Sequence, residues 1–226
     1  MERYGDYTEY EDDIPKRKSR FFLVMKILIA FVCIFVVGVL AFRMILFSYY
    51  PDSMKNIRFT ENLVAYYNEN SGNMSAKTQD LRAPYDDERA GHFFCDNLII
   101  VEEANELQVS VRFNTSVIET LEAKTGLTGL SADDKELLSF RLYDNRGNYY
   151  ENPSYIGNDS FMMYRYYKVA FSNVDFENND PEWIRIEIFI KGQTDSKPFA
   201  MVPVYENNAD YAVFSDFDYK WEENAE

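Results

Sequence analysis

The chain has 226 residues and a formal net charge of −15, with 38 acidic side chains against 23 basic ones, a single histidine and two cysteines. That surplus of negative charge disfavours nucleic acid and anionic polymers as partners. Zinc chemistry, which wants several His or Cys ligands, lacks the residues for it, and no glycine-rich phosphate loop, nucleophile elbow or dinucleotide fingerprint occurs.

Residues 1–20 form an acidic and basic tail. Tyr4, Tyr7 and Tyr10 stand among Asp6, Glu9, Glu11, Asp12 and Asp13, and the low aliphatic content argues for disorder. From Phe21 to Phe47 runs a stretch of 27 largely apolar residues, of which the 16 from Ile27 to Phe42 carry no charge. At ~1.5 Å per residue this is long enough to cross a bilayer as a helix. Lys16, Arg17, Lys18 and Arg20 precede it, while Arg43, Lys55 and Arg58 follow, so the basic bias places the amino terminus in the cytoplasm. Lys26 and Arg43 lie near enough to the ends to extend their charges to the headgroups, and Tyr49 and Tyr50 suit the outer interface. The rival is a cleaved signal peptide with Val39 and Ala41 before the cut. A twenty-residue leader, a long apolar run and Arg43 just beyond the cut weigh against it.

The tail carries five basic and six acidic side chains and the span adds Lys26 and Arg43, which leaves −16 for residues 48–226. Its length suffices for one domain with a real core, and 18 Phe with 18 Tyr favour strands. Cys33 in the span and Cys95 beyond it cannot meet, so the outer domain is held by its core alone, as fits a bacterial cell-envelope protein. In that setting the sequons at Asn73, Asn114 and Asn158 have no glycosylation meaning.

Residues 48–90 read as a juxtamembrane connector. In it Thr60 caps a short helix with Leu63, Val64 and Tyr67 on one face, ending near Ser71 and Gly72, and turn chemistry follows at Pro84, Asp86, Asp87 and Gly91. The outer domain spans 91–220. Phe93 to Val101 is strand-length, Glu103 to Asn105 turns, and Leu107, Val109, Val111 and Phe113 alternate with Gln108, Ser110 and Arg112, predicting a hairpin with one wet face. Ser116 with Glu119 forms a capping box, Val117 to Thr125 a helix stopped by Gly126, and Ser131 with Asp134 a second turn near Ala132 to Leu137. Strands follow at Phe140 to Tyr143 with a turn at Gly147, then at Met163 to Phe171. The cleanest alternation is Trp183 to Ile190. Gly192 to Pro198 turns the chain into Phe199 to Tyr205, an edge strand because of Pro203; Tyr211 to Tyr219 is the last strand, and 221–226 a charged tail. The pattern predicts a mainly β, antiparallel sandwich of about seven strands with a small helical insertion, preceded by a single transmembrane helix.

The strand ending at Phe113 and Asn114, then Phe140 to Asp144 before Gly147 and Tyr149, then the aromatic strand to Phe171 and Asn173, resembles the immunoglobulin-like modules on the outside of Gram-positive bacterial lipoproteins and single-pass membrane proteins. The likeness covers roughly residues 90–205, and the insertion at 116–137 departs from the simple module. It implies fold and location; such modules are mostly of unknown function.

His92 and Cys95 suggest a thiol nucleophile, but their odd separation sends them to opposite faces of a strand, and Cys95 reads as a small buried hydrophobe. Asp175, Glu177, Asn179 and Asp180 offer hard oxygens to a calcium ion without the spacing of the twelve-residue calcium loop, and read first as a solvated turn. Glu206, Asp210, Asp216 and Asp218 could supply a carboxylate pair for glycoside hydrolysis. Tyr149, Tyr150, Tyr155, Tyr164, Tyr166 and Lys168 make an adhesive patch for a protein or glycan if their face is exposed, and core if it is not. Together these features predict a non-enzymatic, membrane-integral binding or assembly module of the cell envelope without a cofactor, its partner another envelope protein rather than nucleic acid. The alternatives are an envelope-polymer hydrolase and a sensor coupled to the tyrosine-rich tail.

Overall fold

A computed structural model of the chain describes residues 16–81, 93–190, 197–215 and 217. Two compact units emerge, Met1–Tyr49 and Tyr50–Glu226. In the first, helix α1 (Lys16–Ser48) contains the apolar stretch Arg20–Leu46, which by length and composition can cross a membrane. At ~1.5 Å per residue its 27 residues reach further than a hydrocarbon layer of ~30 Å.

The second unit is mainly β. Its elements in order are α2 (Asp52–Lys55), α3 (Glu61–Glu69), β1 (Ala76–Gln79), β2 (Phe93–Val101), a single 3-10 turn at Glu102–Ala104, β3 (Glu106–Asn114), α4 (Val117–Thr125), β4 (Leu138–Asp144), β5 (Tyr149–Tyr150), β6 (Tyr155–Phe161), β7 (Tyr164–Ser172), α5 (Phe176–Asn179), β8 (Trp183–Ile190), β9 (Ala200–Glu206) and β10 (Ala212–Phe214). They form two antiparallel sheets, one of six strands in the order β10-β1-β2-β3-β7-β6 and one of four in the order β5-β4-β8-β9.

One core lies between them. The first sheet gives it Phe93, Leu107, Val109, Val111, Phe113, Tyr167, Val169 and Phe171, and the second Phe140, Leu142, Ile184, Ile186, Ile188 and Val202, so the predicted apolar rows point inward. Within β2 the register shifts between Asp96 and Ile99, where Asn97 takes a positive φ of 45°. This bulge changes the side-chain parity: Phe93 and Cys95 face the main core before it, and Leu98 and Ile100 after it. Ile99 and Val101 are thereby sent to the other face, where they meet Leu63, Met74, Ala76 and Ala104 in a second, smaller core. An apolar run with no visible alternation thus has a reason to be apolar at almost every position.

Several local expectations need correction. The opposite face of β3 is not wet, because Glu106, Gln108, Ser110 and Arg112 are all buried beneath residues 50–62. Residues 76–79, read as part of the connector, form β1, paired with β2 on one side and β10 on the other. Tyr155–Phe161, not among the predicted strands, is strand β6; pairing with β7 along its whole length outweighs the poor strand propensity of Gly157, Asn158, Asp159 and Ser160. Ser116 precedes α4 without a side-chain cap, its N–H being taken instead by the Asn114 carboxamide at 2.9 Å; Gly126 ends the helix at φ 72°, as predicted. Residues 132–137 make the expected second turn, hydrogen-bonded around Ser131 and Asp134, so the helical part of the insertion is α4. The last strand is only Ala212–Phe214, an edge strand. Proline at 203 falls on the edge strand β9, as expected. Pro84, Asp86, Asp87, Gly91 and most of the 192–198 turn lie outside the described residues.

Thr60 does two things at once: its hydroxyl accepts the N–H of Leu63, capping α3, and donates to the buried Glu106 carboxylate at 2.9 Å. Replacing it with Val should lower the stability of the full chain by about 2 kcal/mol while Ser keeps most of it, as urea unfolding in detergent micelles would measure.

Candidate interaction face

The residues read as an adhesive patch do not assemble. Tyr149 and Tyr150 lie on β5 in the four-stranded sheet, whereas Tyr164, Tyr166 and Lys168 share one face of β7 in the six-stranded sheet. Tyr166 and Lys168 are 0% and 1% exposed, so that face is an interior. Its cover is the strap of residues 50–62, which matches the sheet group by group. The Tyr50 ring stands edge-on to Tyr166 at 5.2 Å, and the Ser53 hydroxyl donates to Asp159 at 2.7 Å. The Met54 carbonyl accepts from both the Ser110 hydroxyl (2.8 Å) and the Lys168 ammonium (3.3 Å). The Gln108 amide exchanges two hydrogen bonds with the backbone of Arg58, as a neighbouring strand would, and the Arg58 guanidinium lies over the Tyr155 ring at 4.9 Å. Asn62 and Thr60 then reach Glu106, which also accepts from Ser172 at 2.6 Å.

Buried polar groups on this scale shift their proton equilibria. Burial pushes the Lys168 ammonium down to about 7. Burial also raises the Glu106 carboxyl, opposed by hydrogen bonds from Ser172, Thr60, Gln108 and Asn62. Arg112 and Asp96, 1% and 0% exposed, stand 3.6 Å apart, with the guanidinium between the Phe94 and Tyr164 rings. Losing either partner would strand a buried charge, so the pair specifies this face more than it stabilises it.

The outer face of the four-stranded sheet has the opposite character. The inward residues of β4 and β8 are apolar, which leaves Arg141, Tyr143, Trp183, Arg185 and Glu187 outside, beside Tyr149 of β5 and Met201 and Pro203 of β9. Tyr143 stacks on Tyr149 at 4.8 Å and meets Trp183 at 5.7 Å. Arg141 lies 4.5 Å over the Tyr149 ring and bonds Glu187 at 2.7 Å. Arg185 lies 4.5 Å over Trp183 and touches the Met201 sulfur; among the described residues no carboxylate pairs with it. Tyr149 is 54% exposed, and Tyr143, Trp183, Arg185, Met201 and Pro203 are half-buried. The face is aromatic with Arg and Met, residue types enriched at protein-binding surfaces, and the ring stacks hold the side chains in place. Sequence analysis found Tyr149 but not the rest. The signal was the outward row of Trp183, Arg185, Glu187 and Phe189, in register with Arg141 and Tyr143.

The other candidates are dispersed. Tyr150 is half-buried, its hydroxyl donating to Asp144 at 3.0 Å. Asp175 caps α5 through the Asn178 N–H, and Asp180 accepts from Asn207. Among the described residues no three His, Cys, Asp or Glu side chains gather as a metal-ion cluster. Cys95 is buried in the main core, where burial and the neighbouring Asp96 charge push its thiol up, away from a nucleophilic thiolate. Glu206 and Asp210 are exposed; His92, Asp216 and Asp218 lie outside the described residues. Lys16, Arg17, Lys18 and Arg20 fall within the first turns of α1. No protein-family model, curated protein or solved structure matches the chain.

Between pH 7 and its ordinary value of 10.5 the buried Lys168 is largely neutral, whereas an unfolded chain keeps the proton, so stability should rise with pH from 7. The slope is at most about 1.4 kcal/mol per pH unit. Above about pH 9 the rise is opposed, because Cys95, Tyr150 and Tyr167 have values raised by burial and ionise more easily unfolded. Urea midpoints of the wild type should therefore climb from pH 7 to 9, and those of Lys168→Met should stay flat or fall.

Proposed function

We propose that this chain is a non-enzymatic binding module of a cell envelope, held by α1 as a single-pass anchor with its amino end in the cytoplasm, and that it captures a protein partner on the outer face of the four-stranded sheet. The observation that carries the reading is the preassembled surface of Tyr143, Tyr149, Trp183, Arg141 and Arg185. On a domain of net charge −16 this face presents two guanidiniums, one already satisfied by Glu187 and one that no carboxylate among the described residues pairs with, so the partner brings an acid and an apolar contact.

The immunoglobulin-like likeness is supported by strand order. Taking β2, β3, β7 and β6 as strands A, B, E and D, and β5, β4, β8 and β9 as C′, C, F and G, the neighbours in both sheets follow the immunoglobulin sequence, with β1 and β10 added beyond A. The basic residues Lys16, Arg17, Lys18 and Arg20 before the apolar stretch support the orientation.

A photo-crosslinking residue at Tyr149 of the full chain, in intact source cells, should give one discrete protein adduct. Trp183→Ala and Arg185→Glu should abolish it without moving the urea midpoint by more than about 1 kcal/mol in stability. Equal adducts from Tyr149 and from Val213 on the far edge strand would overturn the choice of face, and release of sugar or peptide fragments by the purified chain would overturn the non-enzymatic reading.

A further inference from the structure

The β6–β7 hairpin breaks two rules of local chemistry at its tip. Its two turn residues are Met162 and Met163, with Phe161 and Tyr164 paired behind them. Two-residue hairpin turns favour Gly, Asn or Asp where φ is positive, yet Met162 sits at φ 51°. Solvent-facing turns favour polar side chains, yet Met162 and Met163 are 61% and 43% exposed, two adjacent thioethers among the few large apolar groups left uncovered on this unit. Departures from local preference that a fold keeps tend to sit at working sites.

The two carbonyls of the tip are already satisfied from within. The Met162 carbonyl accepts from the Arg165 guanidinium at 2.9 Å, and the Met163 carbonyl from the Thr115 N–H at 2.8 Å. Arg165 is itself neutralised by Asp133 at 2.7 Å. What the tip offers outward is therefore apolar side chain with its carbonyls already bonded.

The root of the hairpin also carries the start of the strap. Tyr50, 3% exposed, packs with Tyr166 and Met54, and Phe161 and Tyr164 lie against the same cluster. Ser48, the last residue of α1, is two residues before Tyr50, a reach of about 8 Å at ~3.8 Å per residue. From Tyr50 the strap then runs away from the hairpin turn, meeting Lys168, Gln108 and Glu106 in succession.

We infer that the Met162–Met163 tip is a second, shallow membrane contact, dipping into the interfacial layer of the bilayer that α1 crosses. The occupant is a lipid surface. Methionine suits it, being flexible and apolar, and Tyr49, 42% exposed beside the helix end, is an interfacial residue type. The inference rests on α1 being retained in the membrane.

The test uses the full chain with Cys33→Ser, reconstituted in phosphatidylcholine vesicles, with an environment-sensitive fluorophore on a single introduced cysteine: Met162→Cys, Val213→Cys or Val37→Cys. Buried Cys95 is left in place. Lipid nitroxides just below the headgroup should quench the label at 162 severalfold more than the label at 213, a site 70% exposed on the opposite edge of the six-stranded sheet. Deep-chain nitroxides should quench the label at 37. If 37 is quenched while 162 behaves like 213, the hairpin contact is wrong and the anchor stands. If 37 is not quenched, the anchor reading fails and the hairpin falls with it. A blue shift at 162 without lipid quenching would mean a protein contact and would equally overturn the inference.

Discussion

The exchange of two hydrogen bonds between the Gln108 side chain and the backbone of Arg58 is the constraint on which the second unit turns. A glutamine amide here does the work of a peptide group, so that a segment lacking strand structure is held to the sheet as if it were a further strand. Once that register is fixed, Met54 falls opposite Lys168 and Ser110, and Thr60 opposite Glu106. Each polar residue of the sheet face finds its partner because its neighbour has. Such networks are worth more together than singly, and a misplacement by one residue would leave several buried groups unpaired.

The two outward faces of the sheets are therefore chemically exchanged relative to what composition suggests. The face richest in charge, with Arg112, Asp96, Lys168 and Glu106, is the interior of a polar joint. The face with the larger share of aromatic side chains, Tyr143, Tyr149 and Trp183, is the one open to solvent. Burial of charge needs a specific cover, and the strap supplies it. The exposed aromatic surface is ordered in another way, by two arginines stacked on its rings.

How much of this was legible follows from the physics of each signal. Period-two alternation gave β3, β7 and β8, and the punctuation of Thr60 and Gly126 gave one end of each of α3 and α4, because these are properties of a dozen neighbouring residues or fewer. Alternation of Gln108, Ser110 and Arg112 with apolar neighbours shows two faces but does not say which face meets water, since the cover is drawn from a segment some fifty positions earlier. Strands β1 and β6 have weak local patterns and exist through their partners, β2 and β7. The tyrosine patch failed for a related reason. Tyr149 and Tyr164 are near in sequence, but the crossover between them carries the chain from one sheet to the other. The outward row on β8 was visible, yet it gained meaning only when β4 and β5 were laid beside it.

The extra residue at Asn97 has a corollary for how this chain tolerates change. On one side of it β2 counts its inward positions by odd numbers and on the other by even ones, the first half pairing with β3 and the second with both β1 and β3. Substituting one aliphatic residue for another along the strand leaves that count intact. Removing or adding a single codon there would exchange the contents of the two cores, pushing Ile99 toward the place of Leu98 and Val101 toward that of Ile100. Spacing between Cys95 and Ile100 is thus under a stricter constraint than identity, and variation in this strand should be confined to replacement.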